Sequence, residues 1–480
     1  MSFALFLSVL TSFLGTWCHT SDNDNPILRL GSMDKTRTEV FARYNYSSSD
    51  KPFLYQLGDG SSLASVVAES RVWLSDSTVV WGSASYTTGK RMHVKWNSTA
   101  DYALLYPYVM GDSLGGNLSV ERYTFSGGWT HQFGKWSLGA QMLFRAGHEY
   151  RTVDPRPRSI VTSLTVLVGA GLNVNSQYLV SLKGGARFYK QTNDVAFYRE
   201  AGIIPEYQFV GLGMDYKRFS GSRTSAYYKA TGLIVGAGLA PRLDRGLDVS
   251  LTYEYTPYKR ILPTLNSMPI SNLYLYGCEG RVSWTFNSRW RVYASVDYEK
   301  RVGDEYVSGS SSGTEYRTVT QLTMYHAHNV QYMMGVAYSH GWSASRLRLN
   351  LDGGYTDFAA DYHFPYREMN VQKAVARLSA EWNRNLGKGA SLTLSADVGQ
   401  AFDAGGSLTM PYATMDEGNT RLVNDTYAHL KDAYTMVNVE ARYEMPLSGK
   451  YRWFVALNAG YTGASVLSQR RAGLSAGIAF

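Results

Sequence analysis

The chain has 480 residues with a formal net charge of +8, and it is rich in glycine (46) but poor in proline (13). Its Lys and Arg residues are scattered over alternating segments and turns, which argues against nucleic-acid binding, because that function needs basic residues clustered on one face or helix. Tyr is abundant, with 37 copies, and amphipathic Tyr is favoured where a side chain is apolar at one end and wet at the other, as at a membrane interface.

The amino-terminal region predicts an exported protein. Phe3 to Leu14 form an apolar run that is too short to span a bilayer as a helix, and a polar run follows. We interpret residues 1–18 as a secretory signal peptide that ends near Cys18. Loss of Cys18 leaves Cys278 alone, so no intrachain disulfide is expected. Residues 19–75 are polar and Ser/Asp-rich, and predict a periplasmic extension, either folded into a lumen as a plug or loosely ordered.

From residue 76 to residue 480 the chain repeatedly alternates apolar and polar residues, which predicts β-strands with one apolar face. The last strand is a clear example, since Leu474, Ile478 and Phe480 share the apolar phase. In a soluble sheet such a terminal strand would be a hydrophobic edge prone to aggregation. In a membrane barrel it is the closing strand, which is our interpretation.

The connections between the strands alternate between short turns and long polar loops, as in bacterial outer-membrane barrels. We treat the segment Ala64 to Leu74 as preceding the barrel and residues 202–222 as one long outer loop. The sequence then predicts an all-β fold, a transmembrane antiparallel β-barrel of about 16 strands (range 14–18), in the bacterial outer membrane.

Three stretches of the sequence are distinctive: Trp81–Met110 (WGSASYTTGKRMHVKWNSTADYALLYPYVM), Glu121–Phe133 (ERYTFSGGWTHQF) and Glu149–Ile160 (EYRTVDPRPRSI). They resemble a family of uncharacterised outer-membrane β-barrel proteins from Bacteroidota. The resemblance extends to Phe480. It implies an outer-membrane location and, because members are typically encoded near TonB-dependent receptors and lipoproteins, a role in nutrient or metal-related uptake. It supplies no catalytic residues.

A lane of charged residues occupies the phase opposite to the apolar face and is expected to line the lumen. Mixed signs predict ion pairs in a water-containing interior, and such a lane can set ion preference. A barrel of about 16 strands leaves a gap unless a loop or the amino-terminal extension fills it, and we expect a partly plugged gap. The lumen-lining candidates are Arg291, Asp297, Glu299, Arg346, Arg348, Asp352, Lys373, Arg377, Glu381, Glu440, Arg442 and Glu444.

Histidines offer the other candidate chemistry. His326 and His328 share one face at strand spacing, and His363 in the next outer loop is a candidate third ligand for a divalent metal; exposed loop histidines without a ligand are the alternative. A rim-located hydrolase that uses His with a hydroxyl or carboxylate is a further alternative. No nucleophile motif accompanies these histidines, so no enzymatic activity is expected.

The sequence therefore predicts an accessory pore or partner subunit in nutrient or metal-related uptake, with no cofactor. Its expected partners are outer-membrane lipid and a TonB-dependent receptor or lipoprotein, and no nucleic acid. The alternative is a surface-display or assembly barrel whose outer loops bind a lipoprotein or receptor.

Overall fold

A computed structural model describes residues 25–32, 36–198, 206–221, 225–243, 245–287, 289–312, 315–413 and 418–480. The predicted signal peptide, residues 1–18, lies outside the described residues. Among the described residues, no helix is long and apolar enough to cross a membrane.

The described chain contains twenty-one strands and a few short helical segments. The strands are β1 (Arg37–Ser49), β2 (Gly60–Ser75), β3 (Thr78–Val94), β4 (Met110–Gly111), β5 (Gly116–Phe133), β6 (Trp136–Tyr150), β7 (Arg156–Asn173), β8 (Tyr178–Ala196), β9 (Tyr207–Gly211), β10 (Met214–Asp215), β11 (Ser225–Pro241), β12 (Gly246–Leu262), β13 (Met268–Thr285), β14 (Trp290–Ser312), β15 (Glu315–Trp342), β16 (Ser345–Tyr362), β17 (Arg367–Gly387), β18 (Ala390–Thr409), β19 (Tyr434–Ser448), β20 (Tyr451–Ala464) and β21 (Ser468–Ala479). The helices are Arg29–Ser32, Tyr102–Leu105 and Gly418–Lys431, and the 3₁₀ turns are Pro26–Leu28 and Lys217–Phe219.

Eighteen of these strands form one closed antiparallel barrel, and β4, β9 and β10 form a separate small sheet. The barrel closes where β1 pairs with β21, with Val40 opposite Ile478. Reciprocal backbone hydrogen bonds of 2.8 Å join Thr38 to Phe480 at the end of this seam. Closure leaves the sheet without an edge, which is what allows strands to cross hydrocarbon. The strand count lies inside the predicted range of 14–18.

The outer surface of the barrel is apolar. Leu474, Ile478 and Phe480 are 48%, 42% and 39% exposed, so no second layer of protein covers the closing strand. Exposed Trp129, Trp136, Trp284 and Trp290 lie toward the end with short turns, and exposed Tyr332, Tyr355 and Tyr461 lie toward the other end. An apolar band between two aromatic girdles is the exterior of an outer-membrane barrel, and the protein is one.

The end with short turns is the periplasmic end. Turns at this end are as short as two residues, for example 388–389 and 449–450, whereas the opposite end carries longer connections, of which the structure describes residues 95–115, 206–221 and 418–433. Lys388 and Gly389 both have positive φ, the conformation that a two-residue hairpin requires. Outer-membrane barrels have short periplasmic turns and longer extracellular loops. Strand β1 therefore starts, and strand β21 ends, on the periplasmic side.

The predicted boundary at residue 76 is wrong, because the barrel begins at Arg37. Strands β1 and β2, which the sequence analysis assigned to an extension over residues 19–75, pair with each other, and β2 also pairs with β3. Alternation between short and long connections cannot detect this error, since removing two consecutive strands preserves the parity. The prediction that residues 202–222 belong to one long outer loop agrees with the described part of that loop.

We predict that a charge in the middle of the outer apolar band destabilises the barrel in lipid, whereas a charge on an exposed loop does not. Leu351 is 60% exposed, and its partners Val336 and Leu378 share the outer face. Leu351→Arg is expected to lower the free energy of unfolding in lipid vesicles by about 2–4 kcal/mol. Tyr412→Arg, at a fully exposed loop position, is the control and is expected to leave it unchanged. Equal effects of the two variants in urea titrations would contradict the assignment of the band.

Candidate functional site

The outer half of the lumen is filled by the protein's own outer loops. We call residues 95–115, residues 206–221 and the helix Gly418–Lys431 the plug. The plug packs against inward-facing side chains on ten of the eleven consecutive barrel strands from β7 to β19, between Val161 and Tyr434, and the contacts reach as deep as Met333 and Val375. The buried plug side chains include Tyr102, Leu104, Leu105, Tyr108, Val109, Met110, Phe209, Val210, Leu212, Val423 and Leu430.

The first two parts of the plug form one folded unit. Met110 and Gly111 in β4 pair with Gln208 and Tyr207 in β9, and β10 extends this sheet. The Trp96 ring lies 5.5 Å from the Tyr207 ring, centroid to centroid. A three-stranded sheet with its own aromatic contacts holds the two loops together inside the barrel.

Irregular loops inside a lumen leave backbone carbonyls without partners, and each such group must find a donor. Cationic side chains on the barrel wall supply these donors. Arg260, which is 2% exposed, donates to the carbonyls of Phe209 (3.1 Å) and Val109 (3.2 Å). Arg301 donates to the carbonyls of Ala103 (2.9 Å) and Tyr106 (2.7 Å).

Two further wall cations hold the rest of the plug. Arg367 donates to the carbonyl of Leu212 at 2.6 Å. Lys373 donates to the carbonyls of Lys431 (2.5 Å) and Asp432, at the carboxyl end of the plug helix. That position also suits the negative end of a helix dipole. Hydrogen bonds that involve a charged group contribute about 1.5–3 kcal/mol each. We call the four wall cations that hold the plug, Arg260, Arg301, Arg367 and Lys373, the wall latches.

Buried carboxylates of the plug pair with arginines outside it. Asp101 accepts hydrogen bonds from Arg145 at 2.7 Å and from the Tyr189 hydroxyl at 3.1 Å. Asp112, which is fully buried, accepts from Arg151 at 2.6 Å. Because removing one partner would leave a buried charge uncompensated, these pairs fix the position of the loop more than they add net stability.

Glu206 is the buried carboxyl that lacks such a close cation. Burial, followed by the negative charge of Asp112, raises its pKa from 4.5 to about 8, and Ser98, Arg151 and Arg260 oppose the shift. A carboxyl in the plug therefore holds its proton near neutral pH. A raised pKa in the closed state means that this contribution to stability is present at low pH and is lost as pH rises toward about 8.

We predict that the plug opens more readily at alkaline pH because of Glu206. Between about pH 4.5 and 8, opening lets Glu206 release its proton, so the opening free energy of the 206–211 amides is expected to fall as pH rises and to level off above pH 8. Hydrogen exchange, corrected for intrinsic rates, measures this free energy. In Glu206→Gln the slope is expected to disappear, and an unchanged slope would contradict the role of this carboxyl.

Below the plug the lumen is wide and polar. Cavities of about 440 and 530 Å³ lie in this half, and both are lined by Arg37. Glu444 accepts hydrogen bonds from Arg37 at 2.6 Å, from Arg442 at 3.2 Å and from Arg452. Glu39 accepts from Arg442 at 3.0 Å. Oppositely charged groups thus brace the periplasmic half of the lumen around open space.

The predicted lumen residues all lie on the inner phase of their strands, but they serve different purposes. Glu299 pairs with the latch Arg301 at 2.8 Å, and Lys373 is itself a latch. Tyr293 donates to Asp352. Two wall-to-wall pairs, Arg348 with Glu381 at 2.9 Å and Arg377 with Asp397 at 2.6 Å, do not involve the plug. The remaining predicted positions are Arg291, Asp297, Arg346, Glu440, Arg442 and Glu444.

Residues 25–32, the first described part of the predicted extension, also lie inside the barrel, on the periplasmic side of the plug. Asn25 donates to the Ser181 hydroxyl at 3.0 Å, and Thr130 donates to the Pro26 carbonyl at 2.5 Å. Ile27 is fully buried against Gly171, where an added Cβ would lie 2.7 Å from the isoleucine side chain. A glycine-lined groove in the wall therefore accommodates this segment.

The three predicted metal ligands do not form one site. His326 and His363 come together, with 3.2 Å between Nδ1 of His326 and Nε2 of His363. His328 instead lies beside Asp357, at 3.8 Å. The third potential ligand is Asp361, which the sequence analysis did not select. Including His328 is wrong because its cross-strand partner is Ala359, whereas Asp361 lies directly opposite His326.

The sequence analysis missed the residues that close the lumen. Arg260 and Arg301 are on the inner phase of β12 and β14, so alternation could have identified them as lumenal, but nothing local shows that their partners are loop carbonyls. Arg37 and Glu39 were missed because β1 was assigned to an extension.

Comparison with known proteins gives a family. The sequence pattern of a family of unknown function, DUF6850, matches residues 27–480. No curated protein matches the sequence. The barrel is similar to a structure titled "Copper transporter OprC", with a TM-score of 0.42 and 11% identity over 90% of this chain and 62% of that one, so this chain spans less than two thirds of that protein.

Two other solved structures give the same picture. The FpvAI–pyocin S2 complex has a TM-score of 0.46 with 10% identity, covering 93% of this chain and 70% of that one. The ferric enterobactin receptor PfeA from Pseudomonas aeruginosa has a TM-score of 0.40 with 10% identity, covering 93% and 80%. Because these TM-scores are below 0.5, the similarities support no conclusion about this chain.

Proposed function

This chain belongs to the DUF6850 family, whose function is unknown, and we propose that it is the barrel component of an uptake route across the outer membrane, closed at its outer mouth by its own loops. One observation carries the proposal. The periplasmic half of the lumen contains open space lined by mixed charges, whereas the outer half is closed by a plug that packs against the barrel wall through apolar contacts and hydrogen bonds.

The nature of these contacts favours a plug that can move. The latches Arg260 and Arg301 bind carbonyls of the loop backbone, and water can replace both partners of such a hydrogen bond when the plug moves. The plug segments are outer loops, and loops are the elements that rearrange most readily in folded proteins. A solute that binds the plug from outside would shift the population toward an open lumen.

The proposal extends to a partner and excludes catalysis. The sequence resemblance implies a TonB-dependent receptor or a lipoprotein beside the barrel and an origin in Bacteroidota, and we include both in the proposal. We expect no hydrolytic activity.

We predict that removal of the loop that fills the mouth opens the lumen. The Ser98 amide donates to the Met110 carbonyl at 2.8 Å, so residues 99–109 can be replaced by an Asn-Gly turn without moving the paired residues. In planar bilayers the intact protein is expected to show little conductance and the shortened variant a several-fold larger one. A shortened variant as silent as the intact protein would contradict the proposal, as would an intact protein that conducts equally well.

A point variant separates the latch from other lumenal charges. Arg301→Ala removes the donor to Ala103 and Tyr106, and is expected to produce frequent brief openings. Arg348→Ala is the matched control, since Arg348 pairs with Glu381 on the wall. The control is expected to stay closed. If both variants opened equally, a general loosening of the barrel rather than release of the plug would be responsible.

The surface that we assign to the partner is the β14–β15 hairpin. The hairpin extends past the last pairing of β14 with β13, at Glu305, and of β15 with β16, at Tyr325. Val319 and Leu322 on the extension are 68% and 47% exposed. We expect a stoichiometric partner to co-purify from native membranes in mild detergent and to be lost from a Val319→Asp, Leu322→Asp variant. Retention of the partner by that variant would rule out the hairpin as its binding surface.

A further inference from the structure

We propose that the outer face of the β15–β16 ladder carries a binding site for a divalent transition-metal ion of the zinc class, formed by His326, Asp361 and His363. This site is separate from the lumen. Tyr325 and Tyr362, the neighbours of these residues along the strands, point inward and are buried, so His326 and Asp361 point outward. Their side chains are each 35% exposed and that of His363 is 48% exposed, which leaves the ligand atoms accessible from the aqueous phase.

The spacing of the three ligand atoms matches one face of a tetrahedron. Nδ1 of His326 lies 3.2 Å from Nε2 of His363 and 3.6 Å from Oδ2 of Asp361, and the latter two atoms are 3.2 Å apart. A tetrahedral metal with bonds of about 2.0–2.1 Å holds its ligand atoms roughly 3.3–3.4 Å apart. An ion therefore fits above this triangle with little movement of the side chains.

The surrounding backbone orients all three ligands. His326 and Asp361 are directly opposite each other in the ladder, so the register of the sheet fixes their separation. The amide of His363 donates to the Met324 carbonyl at 2.8 Å, which holds the loop residue against the strand end.

The tautomer of His363 is also set for metal binding. Nδ1 of His363 lies 3.2 Å from the Thr323 carbonyl, an acceptor, so Nδ1 carries the proton and Nε2 presents its lone pair to the other two ligands. Metal-binding histidines characteristically donate the second ring nitrogen to a carbonyl or carboxylate in this way.

The local charge favours a cation. Glu368 lies opposite Asp361 on the same outer face. Asp357 lies on this face as well, four residues before Asp361 on β16. Asp304 on β14 accepts a hydrogen bond from the Thr323 hydroxyl at 2.7 Å. Lys300 is the cation on the neighbouring part of this face, opposite His328. The carboxylates outnumber it, so the potential at the site is negative.

The position along the strand places the site outside the hydrocarbon. Asp361 is six residues beyond the girdle residue Tyr355 on β16, which is about 20 Å along the strand. The site therefore faces the headgroup layer and the water above it. Two imidazoles and one carboxylate suit zinc, copper, nickel or cobalt, and three protein ligands leave a position for water or for a ligand from another molecule.

The test is a metal titration of the untagged protein in detergent, since a polyhistidine tag would bind the same ions. After treatment with a chelator, Zn²⁺ is expected to bind with one tight equivalent by calorimetry. Co²⁺ is expected to give the intense visible absorption of a four-coordinate centre. His326→Ala, His363→Ala and Asp361→Asn are each expected to weaken Zn²⁺ binding by about 100-fold or more, because each removes one of three ligands.

His328→Ala is the matched control. His328 lies on the same outer face, two residues along β15, and should leave the tight equivalent intact. Circular dichroism and thermal unfolding check that each variant keeps the barrel. Absence of a tight equivalent in the intact protein would overturn the proposal. Equal losses in His328→Ala and His363→Ala would also overturn it, since they would indicate diffuse binding to surface histidines.

Discussion

The structure depends on the donation of hydrogen bonds from wall cations to loop carbonyls inside the barrel. A barrel of eighteen strands satisfies its own backbone but encloses a wide space. Loops that fold into that space bring unpaired carbonyls with them, and burying such groups without a donor is costly. Arg260, Arg301, Arg367 and Lys373 remove this cost at four places around the plug. These contacts act together with the buried pairs of Asp101 and Asp112 to fix the position of the plug in the lumen.

This arrangement divides the lumen into two environments with different roles. In the outer half, charges are buried and matched to specific partners, as Asp112 is to Arg151. Such pairs are weak sources of net stability but strong sources of positional specificity, because a displaced partner leaves a buried charge behind. In the periplasmic half, an ion-pair network of Arg37, Glu39, Arg442 and Glu444 lies beside open space. In the function that we propose, this asymmetry makes the plug the element that controls whether the lumen is continuous.

The sequence predicts the wall far better than the contents of the lumen. Period-two alternation is a local property, so the outward phase of Leu474 and Ile478 and the inward phase of Arg348 and Glu444 could be inferred from the sequence alone. Strand β1 was not predicted because it has few apolar residues. Its pairing with β21 is a contact between distant parts of the chain, which no local pattern shows. The contacts of the wall latches could not be predicted, because partners such as Arg301 and Ala103 are almost two hundred residues apart in the sequence. His326 and His363 were correctly brought together, but Asp361 required the register of the β15–β16 ladder.

The most direct test of the account is an experimental structure of the protein in a lipid nanodisc, determined by electron cryomicroscopy. The account predicts that residues 99–109 lie within the outer half of the barrel, with the Arg301 guanidinium within hydrogen-bond distance of the Ala103 and Tyr106 carbonyls. Loops 95–115 and 410–433 standing above the rim, over a lumen open to the outside, would contradict it.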